Sequence, residues 1–492
     1  MTTLVIIAAV IFVIYLISKT LSSSSRRQKT TTTTISTYNR ERVSAQRKPV
    51  RVQKKPRTEI DLNSIEINED FKSALDLIER QNESVYVTGK AGTGKSTLLM
   101  YLRATTKKNV VVLAPTGLAA INVGGQTIHS FFRLPPKLIK LEDIRPSRKA
   151  PVYQKLDAVI IDEVSMVRAD LMDGIDYSLR INRKRLNDPF GGVQMIFFGD
   201  LFQLPPIVKG KDLEDYFNEV YGAPYFFCSK VFRGNRIRCV ELRKIYRQCD
   251  DAFIRILNSI REKKITSNVL QTLNSKVVPT PEKLVRGDYV TLTTTNQAAF
   301  EINESFLEAI KEREYEYQAN IQGKFEENDY PTEATLKLKN GAHAMLLRND
   351  PMKRWVNGTL ATISDLSTDR ISIDIDGSKY EINKETWKKV EYYYDREEKR
   401  IEERVIGSFE QYPIRLAWAI TIHKSQGQTF HKIFIDLGSG AFAHGQTYVA
   451  LSRCTSFDGI KLRRPVESRD IIFDPRVYDY ARVMVNGDEI PT

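Results

Sequence analysis

The chain has 492 residues, 41% of them apolar and 10% aromatic, which is ordinary for a globular protein and enough for a sizeable core and two or three domains. Its formal charge is +13, yet twelve of the 74 basic residues lie between Lys19 and Arg57 beside one acid, Glu41, so the remainder is nearly neutral and net charge does not mark it as a nucleic-acid binder. Four cysteines without C-x-x-C spacing, and five histidines that do not cluster with them, speak against a metal centre and fit scattered thiols in a reducing compartment.

Residues 4–17, LVIIAAVIFVIYLI, are apolar without a break, and no charge precedes them, while Lys19, Arg26, Arg27 and Lys29 follow. The pattern predicts an N-terminal hydrophobic helix over residues 1–20 that anchors the chain in a membrane by a single pass, with the rest in the cytoplasm. A mitochondrial presequence and a buried helix are the competing readings. Residues 21–58 are basic, Ser/Thr-rich and poor in apolar side chains, which predicts a disordered tether able to touch anionic headgroups or nucleic acid.

From about Ile60 the texture turns globular. Phe71, Leu75, Leu77 and Ile78 mark an amphipathic helix, Ser84 to Val87 reads as a strand, and Gly89-Lys90-Ala91-Gly92-Thr93-Gly94-Lys95-Ser96-Thr97 contains G-x-x-x-x-G-K-[ST] between a strand and a helical pattern. Glycines there let backbone N–H groups converge on phosphate oxygens, Lys95 brings charge to the β- and γ-phosphates, and Ser96 is a ligand for Mg²⁺. A second strand, Leu156 to Ile161, ends in Asp162-Glu163, which places Asp162 to hold Mg²⁺ and Glu163 to orient or deprotonate water. A third, Met195 to Phe198, leads to Gly199-Asp200 and Gln203, read either as a sensor of the γ-phosphate or as a polar loop residue.

GKAGTGKST, APTGLAA with TIHSFF, IIDEVSM, FFGDLFQLPPI, LRKIYRQ, HKSQGQT and YVALSRC follow one another in the order of the superfamily 1 helicase motifs. Over roughly residues 65–465 the chain resembles the Pif-type (petite integration frequency) DNA helicases of superfamily 1B, in the RecD-like branch. The resemblance implies an α/β fold with two RecA-like P-loop NTPase motor domains and a small SH3-like β-barrel insertion. It divides the chain into a first motor domain over 59–240 with a small protrusion near 133–151, a second over 241–332 and 413–492, and the insertion over 333–412. It makes Lys95, Asp162, Glu163 and Gln203 catalytic with ATP and Mg²⁺, and adds Arg247 and Arg453 as arginine fingers from the second motor domain. The glutamine that such helicases often carry for reading adenine is not recognisable, and Phe71 stands near its place.

A motor on single strands needs polar groups for phosphates and apolar faces for bases on both domains. Pro115, Thr116, His129 and Phe131 in the first, and Asn296, His423, Lys424 and Ser425 in the second, are the contacts that the family likeness implies. Core packing is the competing reading for Phe131. Short alternating runs from about Glu333 to Tyr412, with Asp376-Gly377 as a hairpin turn, predict the small barrel, while Pro135 to Pro151 reads either as a strand-separating protrusion or as a linker. The expected activity is ATP-dependent unwinding with 5′→3′ movement by a monomeric motor on single-stranded DNA and duplex junctions, in replication, recombination, repair or telomere maintenance. An RNA helicase or remodeller is one alternative. A membrane-tethered, nucleotide-switched DNA-binding protein is the other, and the intact Glu163, Gln203, Arg247 and Arg453 speak against it.

Overall fold

Six parallel strands form the first sheet of the computed structural model: β1 (Val85–Gly89), β2 (Val110–Ala114), β3 (Gln126–Thr127), β4 (Ala158–Ile161), β5 (Gln194–Phe198) and β6 (Arg238–Leu242), in the order β3-β2-β4-β5-β1-β6. The structure describes residues 65–486 apart from 148–149, 234, 236, 249, 279–288, 353 and 396. β1, β4 and β5 are buried along their whole length, which is why they read as unbroken apolar runs rather than as alternation. The phosphate-loop motif, Asp162-Glu163 and Gly199-Asp200 all follow these strands, so parallel alignment alone gathers them at one carboxyl edge.

The second sheet is also parallel, with strands in the order Ala419–Thr421, Val290–Thr293, Ile433–Asp436 and Ile460–Leu462. Helix Asp251–Arg261 enters this half. Asp250 caps it, its side chain accepting from the N–H groups of Ala252 and Phe253, and Phe253, Ile256, Leu257 and Ile260 bury one face of it. Helix Gln446–Ser452, buried at every position, packs against it.

Antiparallel strands occupy the chain between the strands Val290–Thr293 and Ala419–Thr421. A five-stranded sheet runs Ser378–Ile382, Ile371–Ile375, Leu360–Leu366, His343–Leu346, Ile414–Leu416, and a three-stranded one joins Glu385–Asp395, Arg400–Gln411 and Asn320–Gly323. Asp376 and Gly377, at φ 51° and 84°, make the two-residue turn between Ile375 and Ser378, as the Asp-Gly signal predicts. The segment from Pro135 onward is not a free projection: Ile139 and Ile144 are buried, and the Ile139 N–H donates to Asp170 on helix Ala169–Arg183.

The long hairpin 385–411 lies against the first sheet. β3 pairs only the end of β2, beginning at Leu113, and the Val112 N–H donates instead to the Tyr392 hydroxyl at 3.1 Å, a hydroxyl that also lies 3.4 Å from the Val112 carbonyl. Tyr392 also accepts Phe131 at its ring edge, with centroids 6.0 Å apart.

One expectation is corrected. Among the described residues no helix is long and apolar enough to cross a membrane, so the single-pass location is not retained. Residues 1–20 and the linker 21–58, on which it rested, lie outside the described residues.

Replacing Tyr392 by Phe leaves the Val112 amide unpaired in a buried place, at a cost of about 1–3 kcal/mol to the docked hairpin. Faster hydrogen exchange at Val112 is the expected outcome, and unchanged protection would contradict this account.

Candidate active site

The phosphate loop is shaped by backbone rather than side chains. Gly89, Gly92 and Gly94 have φ of 153°, 83° and 87°, and a Cβ on Gly92 would stand 2.5 Å from Cβ of Arg247. Gly94 is the N-cap of helix Lys95–Thr105 and offers no side-chain cap, so that helix starts with its N–H groups open to an anion. Thr93 is buried and donates to the Lys90 carbonyl, Ala91 N–H donates to the Tyr448 hydroxyl of the other half at 3.1 Å, and Ser96 is exposed while Thr97 is half-buried. Lys95 Nζ folds back on the carbonyls of Gly89 and Lys90 at 2.6 and 3.1 Å, and burial holds its pKa below the ordinary lysine range despite Asp200 and Glu163 nearby.

Asp162 and Glu163 follow β4 side by side. Burial and then the Glu163 charge push Asp162 up to about 7, and burial likewise raises Glu163 against the pull of Lys95 and Arg453. Glu163 sits at φ 50°, a left-handed conformation that a non-glycine residue adopts at a cost and that is commonest at working sites.

Arg247 and Arg453 close the cleft from the other side. Arg453 is 2% exposed and is held by the carbonyl of Val449 at 3.0 Å and the hydroxyl of Ser452 at 3.0 Å. Arg247 donates to the Ser452 carbonyl at 3.2 Å, and burial together with the Arg453 charge brings its pKa down to about 9. Two crowded guanidinium groups, a buried ammonium and open amides at a helix start form a donor set that fits a polyphosphate. The oxygens of Ser96 and Asp162 are of the hard type that could hold Mg²⁺.

Gln203, named from the sequence, is joined in the cleft by side chains to which the sequence assigned no role. Gln203, 5% exposed, donates through Nε2 to Asp200 at 3.3 Å and accepts from Gln426 at 3.4 Å. His444 reaches the Leu201 carbonyl at 3.1 Å through Nε2 and accepts the Asp474 N–H through Nδ1, and burial keeps its pKa below 6.5. Tyr448, Asp200 and Gln426 stood inside the quoted motifs; Arg261 and His444 carried no signal of their own.

The expected strand contacts divide. Asn296 and Lys424 are exposed, and Pro115, His129 and His423 are half-buried. Thr116 is exposed but spends its hydroxyl capping helix Gly117–Asn122, accepting from Ala119 N–H. Ser425 is buried and donates to Ile422, so its side chain is turned inward. Phe131 is corrected to the core reading: at 6% exposure it is enclosed by Phe132, Tyr153 and Tyr392 and offers no face to a base. Phe71 is buried too, with its ring edge against Gly94. Asp329, tied to Lys389 at 2.6 Å, lies so close to Gly117 that a Cβ there would stand 2.1 Å from its carboxylate.

Gly445 packs on the carbonyls of Phe202 and Gln203, at 2.3 and 2.7 Å from where a Cβ would be, and its φ is 70°. Gly445→Ala is therefore expected to hold the halves apart and lower ATP turnover by about 10²-fold, with nucleotide affinity less affected. Turnover at the original rate in a steady-state assay would show that this contact is dispensable.

The family model described as PIF1-like helicase matches residues 66–271. The ATP-dependent DNA helicase Pif1 of Bdellovibrio bacteriovorus is 33% identical over 432 residues, covering 85% of this chain and 92% of that protein. The crystal structure of Bacteroides sp. Pif1 with ADP-AlF4 superposes with a TM-score of 0.80 at 38% identity, over 86% of this chain and 98% of that one. Bacteroides Pif1 bound to ssDNA, at the same identity and coverage, superposes at 0.61. Family, fold and cleft agree, and the chain belongs to the PIF1-like helicases.

Proposed function

We infer that the chain is an ATP-dependent DNA helicase, and we propose that hydrolysis in the cleft between its two parallel sheets drives 5′→3′ movement along a single strand. One observation carries the reading: the phosphate loop is met directly by the other half, its Ala91 N–H donating to the Tyr448 hydroxyl at 3.1 Å and its Gly92 lying against Arg247, with Arg453 at the end of the same helix as Tyr448. Hydrolysis that requires closure converts a chemical step into relative motion.

In this reading the backbone of residues 89–97 cradles the polyphosphate and Lys95 neutralises it. Ser96 and Asp162 hold Mg²⁺, which when bound supplies charge neutralisation at the β- and γ-phosphates. Glu163 orients and deprotonates water, Gln203 senses the γ-phosphate, and Arg247 and Arg453 stabilise the charge that develops on it. Pro115, Thr116 and His129 on one half, and Asn296, His423 and Lys424 on the other, alternate in gripping the strand. The chain 333–412 supplies an SH3-like barrel beside this track, a reading supported by the five-stranded antiparallel sheet.

The higher similarity to the ADP-AlF4 form than to the ssDNA form supports reading the arrangement described above as one without DNA. The position of Asp329 supports it as well: a carboxylate against Gly117, next to the proposed phosphate grip of Thr116, repels a strand and must move for one to bind.

A forked duplex with a 5′ tail is expected to be unwound and one with only a 3′ tail left intact, and Lys95→Ala is expected to abolish unwinding. Separation from the 3′ tail, or full activity of the Lys95 variant, would overturn the reading. Arg453→Ala should bind ATP while DNA-stimulated turnover falls about 10³-fold or more; an unchanged rate would remove its role.

A further inference from the structure

Arg261, the last residue of helix Asp251–Arg261, makes its ion pair with a carboxylate, whereas Arg247 and Arg453 donate to carbonyl and hydroxyl oxygens of the second half. Its Nη2 stands 3.3 Å from Oδ1 of Asp200, with side-chain exposures of 8% and 0%, and its guanidinium lies 3.9 Å from the ring centre of Phe202. Its Nε is buried without a hydrogen-bond partner. The helix belongs to the second half and Asp200 to the loop after β5 in the first, so this ion pair is made across the cleft.

The same short loop is gripped from the second half at three further points. His444 bonds the Leu201 carbonyl, the Gly445 backbone rests on the carbonyls of Phe202 and Gln203, and Gln426 donates to Oε1 of Gln203. Within the loop, Asp200 is bidentate in purpose: Oδ1 faces Arg261, while Oδ2 accepts the Nε2 amide of Gln203 at 3.3 Å. A side-chain amide with its nitrogen on Asp200 and its oxygen on Gln426 has one orientation only. Gln426 lies in His423-Lys424-Ser425-Gln426, the segment proposed above to hold the strand.

We propose that Arg261 is a positioning residue that couples the nucleotide site to the strand site, acting through Asp200, Gln203 and Gln426. Opening the cleft withdraws Arg261 from Asp200 and Gln426 from Gln203, so the Gln203 amide keeps only its bond within the loop. Closing it restores the chain of contacts, so the strand-holding segment and the γ-phosphate sensor change state together. A buried ion pair is weak evidence for stability, because apolar residues of similar size serve as well, and it acts here by fixing one geometry. This inference rests on the helicase reading.

The test uses the whole chain and measures ATP turnover with and without single-stranded DNA for wild type, Arg261→Met and the double variant Asp200→Asn with Arg261→Met. Stimulation of the wild type by DNA is the check on the helicase reading itself, and its absence would overturn that reading rather than this one. Arg261→Met is expected to lower the ratio of DNA-stimulated to DNA-free turnover at least about fivefold, with the KM for ATP within about twofold. The double variant carries no unpaired buried charge and is expected to melt near wild type while staying uncoupled. Equal loss of stimulated and unstimulated turnover in Arg261→Met, or recovery of the ratio in the double variant, would reduce the pair to packing and overturn the proposal.

Discussion

Arg247 and Arg453 are buried together at one cleft, close enough that each charge opposes the other. Facing them are Asp162 and Glu163, which are crowded in the same way with the opposite sign. Neither set is comfortable by itself, which fits the proposed site for a polyphosphate and a divalent cation. The surrounding structure serves this constraint: parallel strands bring the phosphate loop and the carboxylates to one edge, and helix Gln446–Ser452, buried at every position, delivers Arg453 without freedom to drift. The cleft is thus made by two halves that are each electrostatically incomplete.

Much of this was legible in the sequence because it is local. The run from Gly89 to Thr97 specifies a turn, a helix start and a phosphate grip within nine residues, and strands β1, β2, β4 and β5 are apolar runs ended by the residues that matter. The Asp376-Gly377 turn was equally plain, since two positive φ angles leave few alternatives. What was not legible depends on chain distance. Arg261 meets Asp200 across 61 positions and His444 meets Leu201 across 243, and neither has a neighbour that announces the meeting. Phe131 stayed open between a stacking face and core packing because its partner Tyr392 arrives from a hairpin 261 positions away. The apolar run at residues 4–17 shows the opposite failure: hydropathy alone supported a membrane anchor that no described helix supports.

The hairpin 385–411 and the loop around Asp329 tie the antiparallel part to the first motor sheet through specific polar contacts, among them Arg103 with Glu403 and the Ile401 N–H on Asn109. Lys389 holds Asp329, Asp329 sits on Gly117, and Tyr392 fills the place where a longer β3 would have paired. Contacts of this kind are easily exchanged.

The shortness of β3 has a consequence beyond the motor. With the hairpin in place, the Tyr392 hydroxyl completes the hydrogen bonding of Val112, and the sheet has no free edge there. With the hairpin lifted, β2 exposes an unpaired amide beside apolar residues, the kind of surface by which one molecule recruits a strand from another. The hairpin therefore guards the first sheet against pairing with a strand of another molecule.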